Sequence, residues 1–221
     1  MASRMTPYTE AHVPLTLAAW PKGLLFEDRN RRQNQRKENA NLRMAVPPRR
    51  ILVLGAGNPL RSDAGVGTRT VETLQAFFEF SDNVTFMRDW EHSRCLLHAL
   101  MQADGVVVID TVRTGSRPGT LCKIEDGSLR RTLMDSNSPH QARLADTIAV
   151  AEILGGQPET VIVAVEPGDM SSWSTQLTDT VELRIPDLVI LVLAEIERMG
   201  GECTLKRPQP KLAFSCGLAF A

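Results

Sequence analysis

Residues 51–67, Ile51-Leu-Val-Leu-Gly-Ala-Gly-Asn-Pro-Leu-Arg-Ser-Asp-Ala-Gly-Val-Gly67, leave this chain few folds to choose from. An apolar strand runs without a break into a glycine-rich turn, and the turn runs into a helix. A strand that is apolar at every position is buried on both faces, which requires helices on both sides of a mostly parallel sheet. In such sheets the turns that follow the strands gather ligands and helix N-termini. The polar residues of this turn, Asn58 and Asp63, are therefore placed where chemistry is expected. Asp63 also reads as an N-cap of the helix behind Gly65, which is the reading its position favours.

Beyond Arg50 the apolar pattern alternates in the same way. Strands are expected at 51–54, 84–87, 105–109, 121–124 and 161–165, and helices at 66–78, 95–101, 141–154 and 179–199, the last bent or restarted by Pro186. The expected fold is a single three-layer α/β/α domain around a mostly parallel sheet of about five strands. The domain spans 49–199, preceded by a disordered basic extension over 1–48 and followed by an irregular tail over 200–221. The basic cluster from Arg29 to Lys37 reads as a solvated charged segment rather than an RNA or lipid contact.

The composition excludes several classes of partner. A net charge of −1 gives no general case for nucleic acid or an acidic membrane surface. The four cysteines show no C-x-x-C spacing, which fits a reducing cytoplasm. No apolar run approaches the roughly 20 residues of a membrane span, and no leader sequence opens the chain. A nucleotide site is not expected either: a dinucleotide fingerprint that starts at Gly55 needs glycine where Leu60 stands, and no P-loop pattern occurs. Gly55 and Gly57 then serve a tight turn, with Gly65 and Gly67 letting the helix start lie close to the sheet.

Two further strand-end or helix-start positions carry chemistry. Asp110 follows the apolar run Val106-Val-Val-Ile109, and His140 stands in Ser138-Pro-His140 before a helix. A carboxylate and an imidazole form a partial set for nickel or zinc, which a third carboxylate would complete. Asp110 reads as well as a turn cap, and His140 as a helix-start residue bonded to a carbonyl.

Four segments in order resemble the hydrogenase maturation endopeptidases: Gly55 to Gly67, Val107-Val-Ile-Asp-Thr111 with Gly115-Ser-Arg-Pro-Gly119, Ser138-Pro-His140 with Leu144, and Leu154 to Pro167. The resemblance covers residues from about 50 to 198. It implies a cytoplasmic protease that trims a C-terminal extension from the large-subunit precursor of a nickel-iron hydrogenase, using nickel supplied by that precursor in recognition. It further implies metal ligands at Asp110 and His140, and Asp63 or Asp110 available to assist attack by water. The family's remaining ligand is the second acidic residue of the glycine turn, and it maps onto Ala64. Neighbouring Asp63 does not simply replace it, because one residue of helix rotates a side chain by roughly 100°. Asp89 and Glu91 are other conceivable donors. Ala64 therefore leaves two readings open: an impaired or rearranged protease, or a non-catalytic homologue that binds the precursor as a maturation chaperone.

Overall fold

The computed structural model describes residues 6–7, 47–88, 93–125 and 139–206, and for residues 6, 7, 93, 94, 139 and 140 it describes the backbone alone. Five strands form the main sheet: β2 (Ile51–Gly55), β4 (Val84–Arg88), β5 (Gly105–Thr111), β6 (Leu121–Glu125) and β7 (Glu159–Val165). A two-residue strand, β1 (Thr6–Pro7), adds antiparallel to the β6 edge, giving the order β1-β6-β7-β5-β2-β4. Strands β7, β5, β2 and β4 are parallel, and β6 is antiparallel to β7. This is the expected mostly parallel sheet. Of the basic extension over 1–48, residues 1–5 and 8–46 lie outside the described residues.

The helices are α1 (Val66–Phe77), α2 (Ser93–Gln102), α3 (Pro139–Ile153), the one-turn α4 (Asp179–Glu182) and α5 (Ile185–Arg198). Alternate strand residues point to opposite faces. Ile51, Val53, Val107, Ile109 and Val163 accordingly pack with Val71 and Leu74 of α1 and Leu188 and Val192 of α5. Leu52, Leu54, Val106, Val108 and Ile162 pack with Leu96 and Leu100 of α2 and Leu144 and Ile148 of α3. Both faces are covered, which is why the strands read as unbroken apolar runs. Pro186 restarts the last helix: it lies in the first turn of α5, where its missing N–H costs no helical hydrogen bond.

The tail after Gly200 differs from expectation. Cys203–Leu205 is a strand, β8, paired antiparallel with β3 (Phe78–Phe80) in a separate small sheet. Three alternating residues are too short a signal to read, and the pairing joins segments more than a hundred residues apart. Leu205 and Cys203 pack against the core, Lys206 N–H donates to the Phe77 carbonyl at 2.8 Å, and Ser81 N–H donates to the Glu202 carbonyl at 3.0 Å. Ending the chain after Gly201 is expected to cost about 2–3 kcal/mol from partial burial of two apolar side chains and loss of strand bonds. Urea denaturation of the truncated chain measures it, and an unchanged midpoint would show that β8 contributes nothing.

Chain order locates the active edge of the sheet. From β2 the chain crosses through α1 to β4, then returns through α2 past β2 to β5 on the other side. The direction of winding reverses between β2 and β5, so the turns at their carboxyl ends diverge and leave a crevice. Asn58, Asp63 and Ala64 follow β2, and Asp110 lies at the end of β5.

Candidate active site

At this switch point the glycine turn is folded tightly onto the end of β5. Ala56 N–H donates to the Ile109 carbonyl at 2.9 Å. A Cβ on Gly67 would stand 2.3 Å from the Ala56 carbonyl oxygen and 2.4 Å from that of Ile109, so α1 starts as close to the sheet as only glycine permits. Gly57 has φ +102°, and a Cβ there would meet the Ala64 carbonyl oxygen at 1.9 Å and Asp110 Oδ1 at 3.6 Å. Gly57 therefore packs against the Ala64 backbone and lies close to the Asp110 carboxylate. Asn58 does not point into chemistry: its Oδ1 accepts from Leu60 N–H at 2.9 Å, closing the turn locally. Gly55 and Gly65 have the same close-packed character, with backbone of Gly67 and Pro59 against them.

Asp110 is the chemically distinctive group. It is buried, with Oδ1 accepting from Thr111 N–H at 2.7 Å and Oδ2 from Gln141 Nε2 at 2.8 Å. Burial outweighs these two bonds and pushes its carboxyl up to about 6. The same Gln141 amide donates to the Thr111 carbonyl, so one side chain pins the first turn of α3 to the end of β5. His140 is the residue before Gln141 in that turn, and its backbone is thereby held at the edge that carries Asp110. Its imidazole lies outside the described residues, as do Asp89 and Glu91. Among the described residues no three His, Cys, Asp or Glu side chains are grouped to hold a metal ion, and Ala64 offers no side-chain donor.

Asp63 departs from the N-cap reading. Gly65 precedes α1, and no side chain caps that helix. Asp63 instead lies in a short 3-10 turn, Ser62–Gly65, fully buried, and reaches across to the loop after β7. Its Oδ2 accepts from the N–H groups of Gly168 and Asp169, both at 2.8 Å, and from Thr178 Oγ1 at 3.0 Å, while Oδ1 accepts from Thr178 N–H at 2.7 Å. Four donors converge on one carboxylate. Thr178, the residue before α4, is thereby held by its N–H and hydroxyl, although no side chain caps that helix. Asp63 N–H also donates to the Asp169 carbonyl at 3.0 Å, sealing the two loops together.

Sequence reasoning missed two residues that build this edge. Gln141 adjoins the motif that singled out His140, and an amide one place into a helix beside a strand-end carboxylate was the available signal. Glu166, buried at the end of β7, accepts from Thr114 N–H and Thr114 Oγ1, both at 2.7 Å, and so shapes the loop after β5. Its place directly after the apolar run Val161 to Val165, the placement that singled out Asp110, was the available signal.

Fold and site together define an α/β protein with a buried carboxylate of raised proton affinity at the switch point of a doubly covered, mostly parallel sheet, without a phosphate-binding turn. The chain belongs to the hydrogenase maturation protease family, whose model matches residues 68–195. It is 32% identical over 165 residues to the hydrogenase expression/formation protein HupD of Rhizobium leguminosarum bv. viciae, covering 74% of this chain and 81% of that one. The hydrogenase 2 maturation protease of Escherichia coli K12 is 32% identical over 155 residues, covering 69% and 94%. The fold matches the hydrogenase maturating endopeptidase HybD from E. coli with a TM-score of 0.68 at 30% identity, over 71% of this chain and 98% of that one.

Proposed function

We propose that this chain cleaves the C-terminal extension from the large-subunit precursor of a nickel-iron hydrogenase, in the cytoplasm, recognising nickel that the precursor brings with it. The observation that carries the reading is Asp110: a buried carboxylate at the switch point, braced by Gln141 beside His140, in a chain of the maturation protease family. Asp110 and His140 are assigned the contacts to the precursor's metal. Nickel brought there by the precursor would polarise a nearby carbonyl and so favour attack by water. Asp110, with proton affinity near neutrality, is suited to assist that attack. Asp63 is assigned a positioning role in place of a catalytic one, because four donors from the loop after β7 surround its carboxylate, against two at Asp110. Nickel is cargo in this scheme, and no nucleotide, nucleic acid or membrane enters it. Among the described residues no helix is long and apolar enough to cross a membrane.

Incubating the purified full chain with nickel-loaded precursor, and with metal-free precursor as control, tests the proposal by intact mass. Loss of the extension's mass in the nickel-loaded sample alone is expected. An unchanged mass in both samples overturns it.

Ala64 bears on affinity for the metal. Two protein ligands leave most of the coordination sphere to the precursor and water, whereas three form a chelate. Ala64→Asp or Ala64→Glu is expected to tighten nickel binding about tenfold, equal to about 1.4 kcal/mol. Calorimetric titration of the parent, Ala64→Asp and the double variant Ala64→Asp with His140→Ala checks this. Equal affinities in all three would remove position 64 from the ligand set.

A further inference from the structure

The rim of the candidate site carries an apolar platform that nothing in the fold requires. Trp173 is 73% exposed and Leu60 is 51% exposed, although each stands in a loop held by many bonds. Leu60 O accepts from Ser174 N–H at 3.1 Å, Ser62 N–H donates to the Ser174 carbonyl at 2.8 Å, and Arg61 forms a parallel bridge with Ser174. Ser62 is the one non-glycine residue with positive φ among the described residues, at +42°, a backbone strain that this cross-linking holds in place. The Arg61 guanidinium stacks on the Trp173 ring at 4.3 Å from its centroid and donates to the Ser171 carbonyl at 3.2 Å. The Asp169 carboxylate in turn accepts from Ser171 N–H and Ser171 Oγ, both at 2.7 Å. An indole fixed on one face by a cation and left bare on the other is pre-organised for contact, so little ordering cost remains to be met on binding.

Its place names the occupant. Leu60 follows Gly57 by three residues, which is at most about 11 Å of extended chain. Gly57 borders the Asp110 carboxylate. Leu60, and Trp173 stacked on the adjacent Arg61, are therefore within reach of three or four residues of a peptide held at Asp110. The exposed Arg113 and Arg117, in the loop after β5 at the same edge, favour acidic character in what lies there. Resting on the proposed function, we infer that Leu60, Arg61 and Trp173 form a docking subsite for the large-subunit precursor, taking an apolar or aromatic side chain of the segment beside the scissile bond, with acidic residues flanking it. Trp and Arg are the side chains that most often concentrate binding energy in this way.

Trp173→Ala, Leu60→Ala and the control Ile153→Ala, an 82% exposed side chain at the far end of α3, are to be compared on nickel-loaded precursor. For Trp173→Ala we expect KM raised about tenfold with kcat within twofold, a smaller rise in KM for Leu60→Ala, and no change for Ile153→Ala; all three should melt with the parent. Unchanged KM for Trp173→Ala overturns the subsite. Where the parent does not cleave, the dissociation constant for the precursor is measured directly: about tenfold weaker binding by Trp173→Ala retains the subsite while the protease reading fails, and equal or absent binding overturns it. Concentration-dependent self-association of the parent that Trp173→Ala abolishes would also overturn it, giving the platform to a second copy of the chain.

Discussion

Asp110→Asn is expected to reduce precursor cleavage by at least about a hundredfold, the scale on which a positioned acid–base group contributes. The same variant has a second, opposite signature in stability. The folded carboxyl is raised from an ordinary 3.8 to about 6, so between those values the folded protein holds a proton that the unfolded chain has released. Stability from this group is thus fully present below about pH 4 and falls as pH rises through 6, by about 3 kcal/mol for a shift of this size. Asparagine removes the ionisation and with it the slope. Urea unfolding of both proteins from pH 4 to 8 should show the variant gaining on the parent as pH rises. The gain is smaller than the full figure, because an amide offers only one acceptor oxygen to Thr111 N–H and Gln141 Nε2. A pH-independent difference would show that Asp110 is ionised without penalty.

Asp63→Ala is expected to be among the most destabilising single changes in the chain. It removes the buried acceptor of Gly168 N–H, Asp169 N–H, Thr178 N–H and Thr178 Oγ1, which lie in a part-buried site beside the exposed Gly168. Donors that water can partly reach cost toward the low end of the range for unsatisfied groups, about 1 kcal/mol each, and the total is about 4 kcal/mol. For a folded region of this size that lowers Tm by roughly 10 °C. Asp63→Asn keeps one acceptor oxygen and should fall between. Because the loop it anchors also presents Trp173, KM should rise along with the loss of stability. Thermal unfolding with an unchanged Tm would show that the four bonds are not what holds the two loops together.

The contrast between Asp63 and Asp110 shows why local sequence is a partial guide to a site. Both carboxylates follow apolar strands, and sequence alone offers a structural and a chemical reading for each. Asp63 is bonded to donors 105 to 115 residues away, in a loop with no regular pattern. Asp110 is bonded to its own neighbour and to Gln141, which leaves burial to dominate. The deciding variable is which donors meet each carboxylate, and that depends on strand order.

What the sequence determined by itself is whatever short-range chemistry fixes. Runs such as Val106-Val-Val-Ile109 must be buried on both faces, amphipathic stretches between them must be the covering helices, and Gly57 and Gly67 must allow backbone to approach backbone. Those constraints gave the α/β layers and the edge on which to seek a site. Tertiary structure alone decided that β5 lies beside β2, which turns one glycine turn into a switch-point crevice, and that Gln141 braces Asp110. It also decided that β8 closes on β3 and that Trp173 stands bare over Arg61. Each of these is a contact between segments far apart in the chain, whose closure entropy is met by the summed burial of the whole core and leaves no mark in the local pattern of residues.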